Sequence, residues 1–113
     1  MILTKEEILK LLITEKYEQT QKLMDWGVLE WEQSENDIRF RKPIESLADL
    51  AYRLRDQIIG GEDEEKIYRL FQSMDEVAGE KRPATWLLLK MQPIEMICAA
   101  LLAEQGIKEG GEA

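Results

Sequence analysis

The sequence predicts a mostly α-helical domain, an α+β fold with four to five helices around one core and a small antiparallel β-hairpin near residues 28–41. Apolar residues recur with the helical period of about 3.6 along most of the chain. The exception is VLEWEQSENDIRFRKP, residues 28–43, where polar and apolar residues alternate in steps of two. We expect residues 1–106 to form a single helical domain and residues 107–113 a flexible tail.

The composition excludes several kinds of chemistry. The chain of 113 residues has one cysteine and no histidine, which removes Ser-His and Cys-His nucleophile pairs and the common zinc sites. Its net charge of −8 repels phosphate backbones, so we expect no general nucleic-acid binding. The acidic start and the absence of a long apolar run predict a cytoplasmic protein with no membrane contact. No cofactor is predicted.

The first helix is predicted over about residues 5–26. Thr4 and Glu7 have the spacing of a capping box, and Gly27 can adopt the left-handed conformation that ends a helix. Such a helix would be long for this domain, and its wide apolar stripe is interrupted by Lys16 and Thr20. We favour a homodimer that pairs these stripes about a two-fold axis. The alternative is a monomer in which the hairpin covers the stripe.

The alternating stretch predicts a hairpin whose apolar side chains pack on the helices. A polar turn at residues 34–37 would set Glu30 and Glu32 across from Arg39 and Arg41, where opposite charges stabilise the pairing. The alternative is a longer first helix followed by a loop.

Four further helices follow from start and stop signals. Ser46 and Asp49 open the first of them and Gly60-Gly61 ends it. The second begins in the acidic run 62–65 and ends at Gly79, a short one follows Pro83, and the last runs from Pro93 to Gly106. The predicted core residues are Leu50, Leu54, Phe71, Ile97 and Leu101. Cys98 lies in the last apolar stripe and is predicted to be an inert core thiol.

Carboxylates with helical spacing suggest one enzymatic alternative. The string ESLADLAYRLRD and the pair Glu15-x-x-Glu18 resemble the all-α nucleoside triphosphate pyrophosphohydrolases of the MazG type. That resemblance implies a Mg²⁺-dependent enzyme with Glu15, Glu18 and Asp49 as metal ligands. Ser46 stands where the family has its next glutamate. The competing interpretation, which we favour, is two solvated helix faces and no metal site.

The candidate binding residues surround the hairpin: Trp26, Trp31, Arg39, Arg41 and Lys42. The three cations form a basic island on an acidic background, and tryptophans are enriched at interface hot spots. They could hold a protein partner or, alternatively, a small anion or nucleotide. The arginines could also simply neutralise Glu30 and Glu32.

The segments WLLLKMQPIEMICAALLAEQ and ESLADLAYRLRD resemble parts of short bacteriophage or prophage proteins of unknown function. The resemblance implies a phage-associated accessory protein and carries no catalytic residue. We therefore predict a non-enzymatic binding protein that acts through protein–protein contacts.

Overall fold

Six α-helices and one two-stranded sheet make up residues 3–105, the part of the chain that the computed structural model describes. The predicted mostly α fold with a small antiparallel hairpin is confirmed. The predicted stop at Gly106 and the predicted tail at residues 107–113 lie outside the described residues. In chain order the elements are α1 (Lys5–Lys10), a 3-10 turn (Leu11–Ile13), α2 (Lys16–Asp25), β1 (Trp31–Gln33), β2 (Arg41–Pro43), α3 (Leu47–Gly60), α4 (Glu64–Ala78), α5 (Ala84–Lys90) and α6 (Pro93–Gln105).

Helix α6 forms the centre of the fold. It packs against α1, the 3-10 turn, α3 and α4, and every residue from Met96 to Leu101 is buried. A helix that is apolar on all sides has to be covered on all sides, which explains this position. Among the described residues, none of the helices combines the length and the apolar content of a membrane span.

The predicted first helix is interrupted, so the expectation of one helix over residues 5–26 is wrong. Thr14 is extended (φ −92°, ψ 144°), and its hydroxyl donates to the Lys10 carbonyl at 2.8 Å. The buried Gln19 amide donates at 2.8 Å to the Leu11 carbonyl, which also accepts the N–H of Thr14 at 3.1 Å, and so ties α2 to the 3-10 turn. The single long helix whose stripe favoured a homodimer is therefore absent, and the exposed large apolar residues there are Ile13 and Tyr17.

The starts and ends of α3 and α4 follow the sequence signals. The Ser46 hydroxyl accepts a hydrogen bond from the backbone N–H of Asp49 at 3.1 Å and caps α3. The Asp63 carboxylate caps α4 by accepting from two backbone N–H groups. Gly79 ends α4 with φ 86°, a conformation that side chains other than glycine rarely adopt.

The predicted core residues divide into two groups. Leu50, Ile97 and Leu101 are buried, as expected. Leu54 and Phe71 are only half-buried and pack against the edge of the core. On α4 the fully buried positions are Leu70 and Met74, because α4 turns that side towards α6.

The hairpin exists, but its predicted register is wrong. Trp31 pairs with Pro43 and Gln33 with Arg41, so the turn is longer than the predicted four residues. Asp37 causes the shift, because its carboxylate accepts from the N–H of Arg39 at 2.9 Å and its carbonyl accepts from the next N–H at 3.0 Å. Residues 38 and 39 consequently belong to the turn and not to the second strand.

The corrected register also changes the charge pairs and the packing. Glu32 faces Lys42, whereas the sequence predicted that the two glutamates would face Arg39 and Arg41. The prediction that the apolar residues of the ribbon pack on the helices is wrong for most of them. Leu29 is buried, but the exposed side chains include Trp31, Ile38 and Phe40.

A core substitution tests the α4–α6 interface. Leu70 is 0% exposed, so Leu70→Ala removes buried apolar surface and leaves a cavity. We expect a loss of about 2–5 kcal/mol in the free energy of unfolding, measured by urea denaturation. Leu89→Ala, at a 74% exposed position on α5, is the matched control and should change stability by less than about 0.5 kcal/mol. Equal losses in the two variants would contradict this packing.

Candidate functional site

The hairpin is attached at its base by one side chain of α3. The Arg53 guanidinium lies 2.5 Å from a carboxylate oxygen of Glu45, just after β2, and donates to the carbonyl of Val28, just before β1, at 3.4 Å. The hydrogen bond from Glu45 raises the pKa of Arg53 above its ordinary value. Leu29 anchors the same region because its side chain is buried in the core. Both ends of the ribbon are therefore fixed to the helices.

A second arginine fixes the side of the ribbon that faces α2. Arg41 lies 2.7 Å from the Asp25 carboxylate and donates to the Gln21 side-chain oxygen at 2.8 Å. Its guanidinium carbon is 5.3 Å from the centroid of the Trp31 ring, within the range of a cation–π contact. The structure thus brings together two predicted site residues, Trp31 and Arg41, on the inner side of the hairpin.

The opposite side of the ribbon is directed outward. Because side chains alternate along a strand, Lys42 is exposed between the half-buried Arg41 and Pro43. We define the outer hairpin face as the residues on this side: Glu30, Glu32, Phe40, Lys42 and Ile44. Phe40 is 55% exposed and Ile44 is 53% exposed, so this face presents two large apolar side chains on either side of a lysine.

The tip of the hairpin is an internally paired turn. The side chain and the backbone N–H of Arg39 both donate to the Asp37 carboxylate. These bonds lower the pKa of Asp37, and the side-chain bonds have the larger effect. The same ion pair raises the pKa of Arg39. Ile38 beside them is 81% exposed. The positive charge of Arg39 is therefore balanced by a neighbour two residues away.

The remaining candidate tryptophan does not join the hairpin surface. Trp26 follows the last residue of α2 and is half-buried against the core. Trp86 is also half-buried there, and the centroid of its ring lies 4.5 Å from the guanidinium carbon of Arg82. Sequence reasoning placed Ile38 and Phe40 on the core side and gave Ile44 no role. The dipeptide Asn36-Asp37 was the available signal, since residues of this type favour turns that bond their own backbone.

The carboxylates of the hydrolase alternative are not gathered into one site. Glu15 and Glu18 lie at the exposed start of α2, and Asp49 lies in the exposed first turn of α3. Glu45 is bound to Arg53. Within residues 3–105, no three Asp, Glu, Cys or His residues are grouped as a metal site requires.

A depression of 510 Å³ lies between α4 and α5. Its apolar wall includes Phe71, Pro83 and Leu87, and its cations are Lys81 and Arg82, from a segment that the sequence marks as a linker. Arg82 already interacts with Glu80 and with the Trp86 ring. The depression is open, and its two cations are offset by Asp75 in the lining and by Glu80 beside it, so it offers no distinct anion site.

Cys98 is placed as predicted, in the core. Its thiol is fully buried and donates to the Ile8 carbonyl at 3.3 Å. Burial raises the pKa of the thiol to about 12, with a smaller effect of the Glu95 carboxylate in the same direction. A thiol with this pKa stays protonated at neutral pH and is a poor nucleophile.

Comparison of the chain with protein-family models, with curated proteins and with solved structures gave no match. The candidate site therefore rests on the geometry of the hairpin and on the charges around it.

The attachment of the ribbon to α2 can be tested at Arg41. Replacing Arg41 with alanine removes the contacts to Asp25, Gln21 and the Trp31 ring. We expect faster amide hydrogen exchange at Ser34 and Ile44, whose N–H groups bond across the ribbon, with a change in global stability of about 1 kcal/mol or less.

Arg39→Ala is the matched control for that experiment. The Arg39 side chain is 81% exposed and bonds Asp37 within the turn, so the substitution should leave exchange across the ribbon nearly unchanged. Equal acceleration by the two variants would show that Arg41 does not hold the ribbon.

The reactivity of Cys98 checks the burial of the core. With its pKa raised from 9.0 to about 12, the native protein at pH 8 holds about a thousandfold less thiolate than the unfolded chain. We expect almost no labelling by a thiol reagent in buffer and rapid labelling in denaturant. Because the folded state disfavours the thiolate, this group also costs stability as the pH rises from 9 towards 12. Labelling of the native protein at the denatured rate would contradict the buried position.

Proposed function

We propose that the chain is a non-enzymatic accessory protein that binds another protein through its hairpin. The outer hairpin face is the observation that carries this proposal. The side chains of Phe40 and Ile44 on this face are each more than half exposed. The ribbon that carries them is held to the helices by Arg53 and Arg41, so their positions are fixed. Apolar side chains on a fixed surface with a charged neighbour are typical of interface anchors.

The charge arrangement favours a protein over a small anion. Arg39 and Arg41, the cations first considered for an anion site, are neutralised by Asp37 and Asp25. Lys42 faces Glu32 across the ribbon. A surface of alternating charge with apolar side chains suits a partner surface of similar composition, whereas a phosphate requires several converging cations.

The setting of this function follows from the sequence. The resemblance of the C-terminal segment and of ESLADLAYRLRD to short bacteriophage or prophage proteins supports a phage-associated role, which we place in the cytoplasm. The net charge of −8 argues against a general affinity for nucleic acid. A homodimer remains a prediction, and light scattering decides it by comparing the particle mass with the 13.2 kDa chain.

Photo-cross-linking tests the hairpin as the binding element. A cross-linking amino acid replaces Phe40 in one variant and Tyr68, 64% exposed on α4, in the matched control. We expect a discrete adduct from host cytoplasm at position 40 and none at position 68. The adduct identifies the partner, which is then purified and titrated by calorimetry.

The titration compares a Phe40→Ala, Ile44→Ala double variant with Tyr68→Ala. The double variant should bind the purified partner about tenfold or more weakly, because each well-packed anchor contributes about 1–2 kcal/mol. Both variants alter exposed positions, so urea denaturation should show nearly unchanged stability. Equal affinities in the two variants would refute the proposal. Release of pyrophosphate from nucleoside triphosphates with Mg²⁺, abolished by Glu18→Gln, would establish the hydrolase alternative instead.

A further inference from the structure

Two hydrogen bonds at the ends of the ribbon determine which backbone groups point outward. The N–H of Ser34 donates to the carbonyl of Phe40, and the N–H of Ile44 donates to the carbonyl of Glu30. In an antiparallel pair, hydrogen-bonded and non-hydrogen-bonded positions alternate. The position between these two bonds, at Glu32, is therefore also hydrogen-bonded across the ribbon.

The alternation leaves the outer edge of β1 open. Trp31 and Gln33 occupy the non-hydrogen-bonded positions, so their N–H and C=O groups point away from β2. All residues of β1 are exposed. The corresponding edge of β2 is less available, since Pro43 has no N–H and Arg41 is held against α2. An open edge with this spacing is the template for an added strand.

The charges beside this edge determine which kind of strand can be added. Glu30 and Glu32 lie on the outer hairpin face next to the open edge. Glu32 faces Lys42 on the other strand and Glu30 interacts electrostatically with Arg53, but neither carboxylate forms a close ion pair among the described residues. A second copy is disfavoured, because the antiparallel register that pairs all of β1 with itself sets Glu32 against the same glutamate of the copy. A strand with cations at alternate positions would face both carboxylates.

We propose that a basic, extended segment of a partner protein adds to β1 as a third strand. Its lysine or arginine side chains face Glu30 and Glu32, and the residue between them lies beside Trp31 and exchanges backbone hydrogen bonds with it. This inference rests on the proposed function, since it specifies how the hairpin holds its partner.

A synthetic peptide of alternating lysine and valine, about seven residues long, is the probe, and fluorescence anisotropy measures its binding. With lysines on the outer face, the valine N–H groups are those that bond to β1. Methylation of the backbone nitrogens of the valines should weaken binding about tenfold or more. Methylation of the backbone nitrogens of the lysines should leave binding nearly unchanged. The two peptides carry the same charge, so they separate edge pairing from general attraction to an acidic protein.

Matched protein variants test the same edge. Gln33→Pro removes an outward N–H and leaves the backbone bonds to β2 in place. It also removes the side-chain bonds to the carbonyls of Ile38 and Phe40, and Gln33→Ala, which removes the same bonds, is its control. Glu32→Lys reverses the charge at the edge, and Glu64→Lys makes the same change at the exposed start of α4. We expect Gln33→Pro and Glu32→Lys each to weaken binding about tenfold relative to their controls.

Equal binding of the two methylated peptides, or of the two members of either variant pair, would overturn strand addition. Phe40 and Ile44 flank β2 and belong to the other strand of the outer hairpin face, so the variants that test the proposed function leave the open edge of β1 unchanged. A partner that needs Phe40 while the methylated peptides bind equally would leave the proposed function standing and refute the edge site. A doubled mass in light scattering that Gln33→Pro abolishes would mean that the edge binds a second copy, and would also overturn the proposal.

Discussion

The need to cover α6 on every side determines the arrangement of the other helices. A helix of 13 residues without a polar face cannot lie at a surface, so α1, the 3-10 turn, α3 and α4 surround it. The interruption of the first helix follows from this requirement. It brings Ile8 and Leu11 into the core beside α6, and the buried Gln19 amide joins α2 to the 3-10 turn through the Leu11 carbonyl.

Once the helices have closed the core, the ribbon has little left to bury. Leu29 enters the core and half-buried Val28 packs at its edge, but the residues beyond them reach past the helices. Two arginines compensate for the missing apolar packing by tying the ribbon to α2 and α3. Each joins a carboxylate and an uncharged oxygen, which fixes direction as well as distance. The result is an element that is ordered by polar contacts and keeps its apolar side chains exposed.

Local signals explain how far the sequence could predict this fold. Caps and glycine stops are determined by a few neighbouring residues, so the ends of α3 and α4 were predictable from Ser46 and Gly79. The break at Thr14 was not, because neither a glycine nor a proline marks it and the bend depends on the three-dimensional position of α6. Half-buried Phe71 shows the same limit. A helical stripe predicts which side of a helix faces the core, but not how completely a neighbouring helix covers each residue on that side.

The hairpin shows a second limit. Alternation identified the ribbon, but strand register depends on the turn. The Asp37 carboxylate, which accepts the backbone N–H of Arg39, goes with a pairing displaced by several residues. That displacement moved Phe40 from the predicted inner side to the outer face and replaced both expected charge pairs. Of the candidate site residues, Trp31 and Arg41 could be associated in advance because both flank the ribbon. The contact of Arg41 with α2 could not, since it depends on Asp25 and Gln21, which are 16 and 20 positions away along the chain.

The attachment at Arg53 fixes the position of the hairpin in a way that does not depend on the sequence of its strands. Because one guanidinium binds the chain both before β1 and after β2, the two ends of the ribbon are kept at a set spacing on the helical bundle. Leu29 enters the core at one of these ends, whereas residues 30–44 neither belong to the core nor pack against it as partly buried apolar residues. The bundle therefore acts as a scaffold on which a different two-stranded insert could be grafted, with new specificity acquired without redesign of the interior.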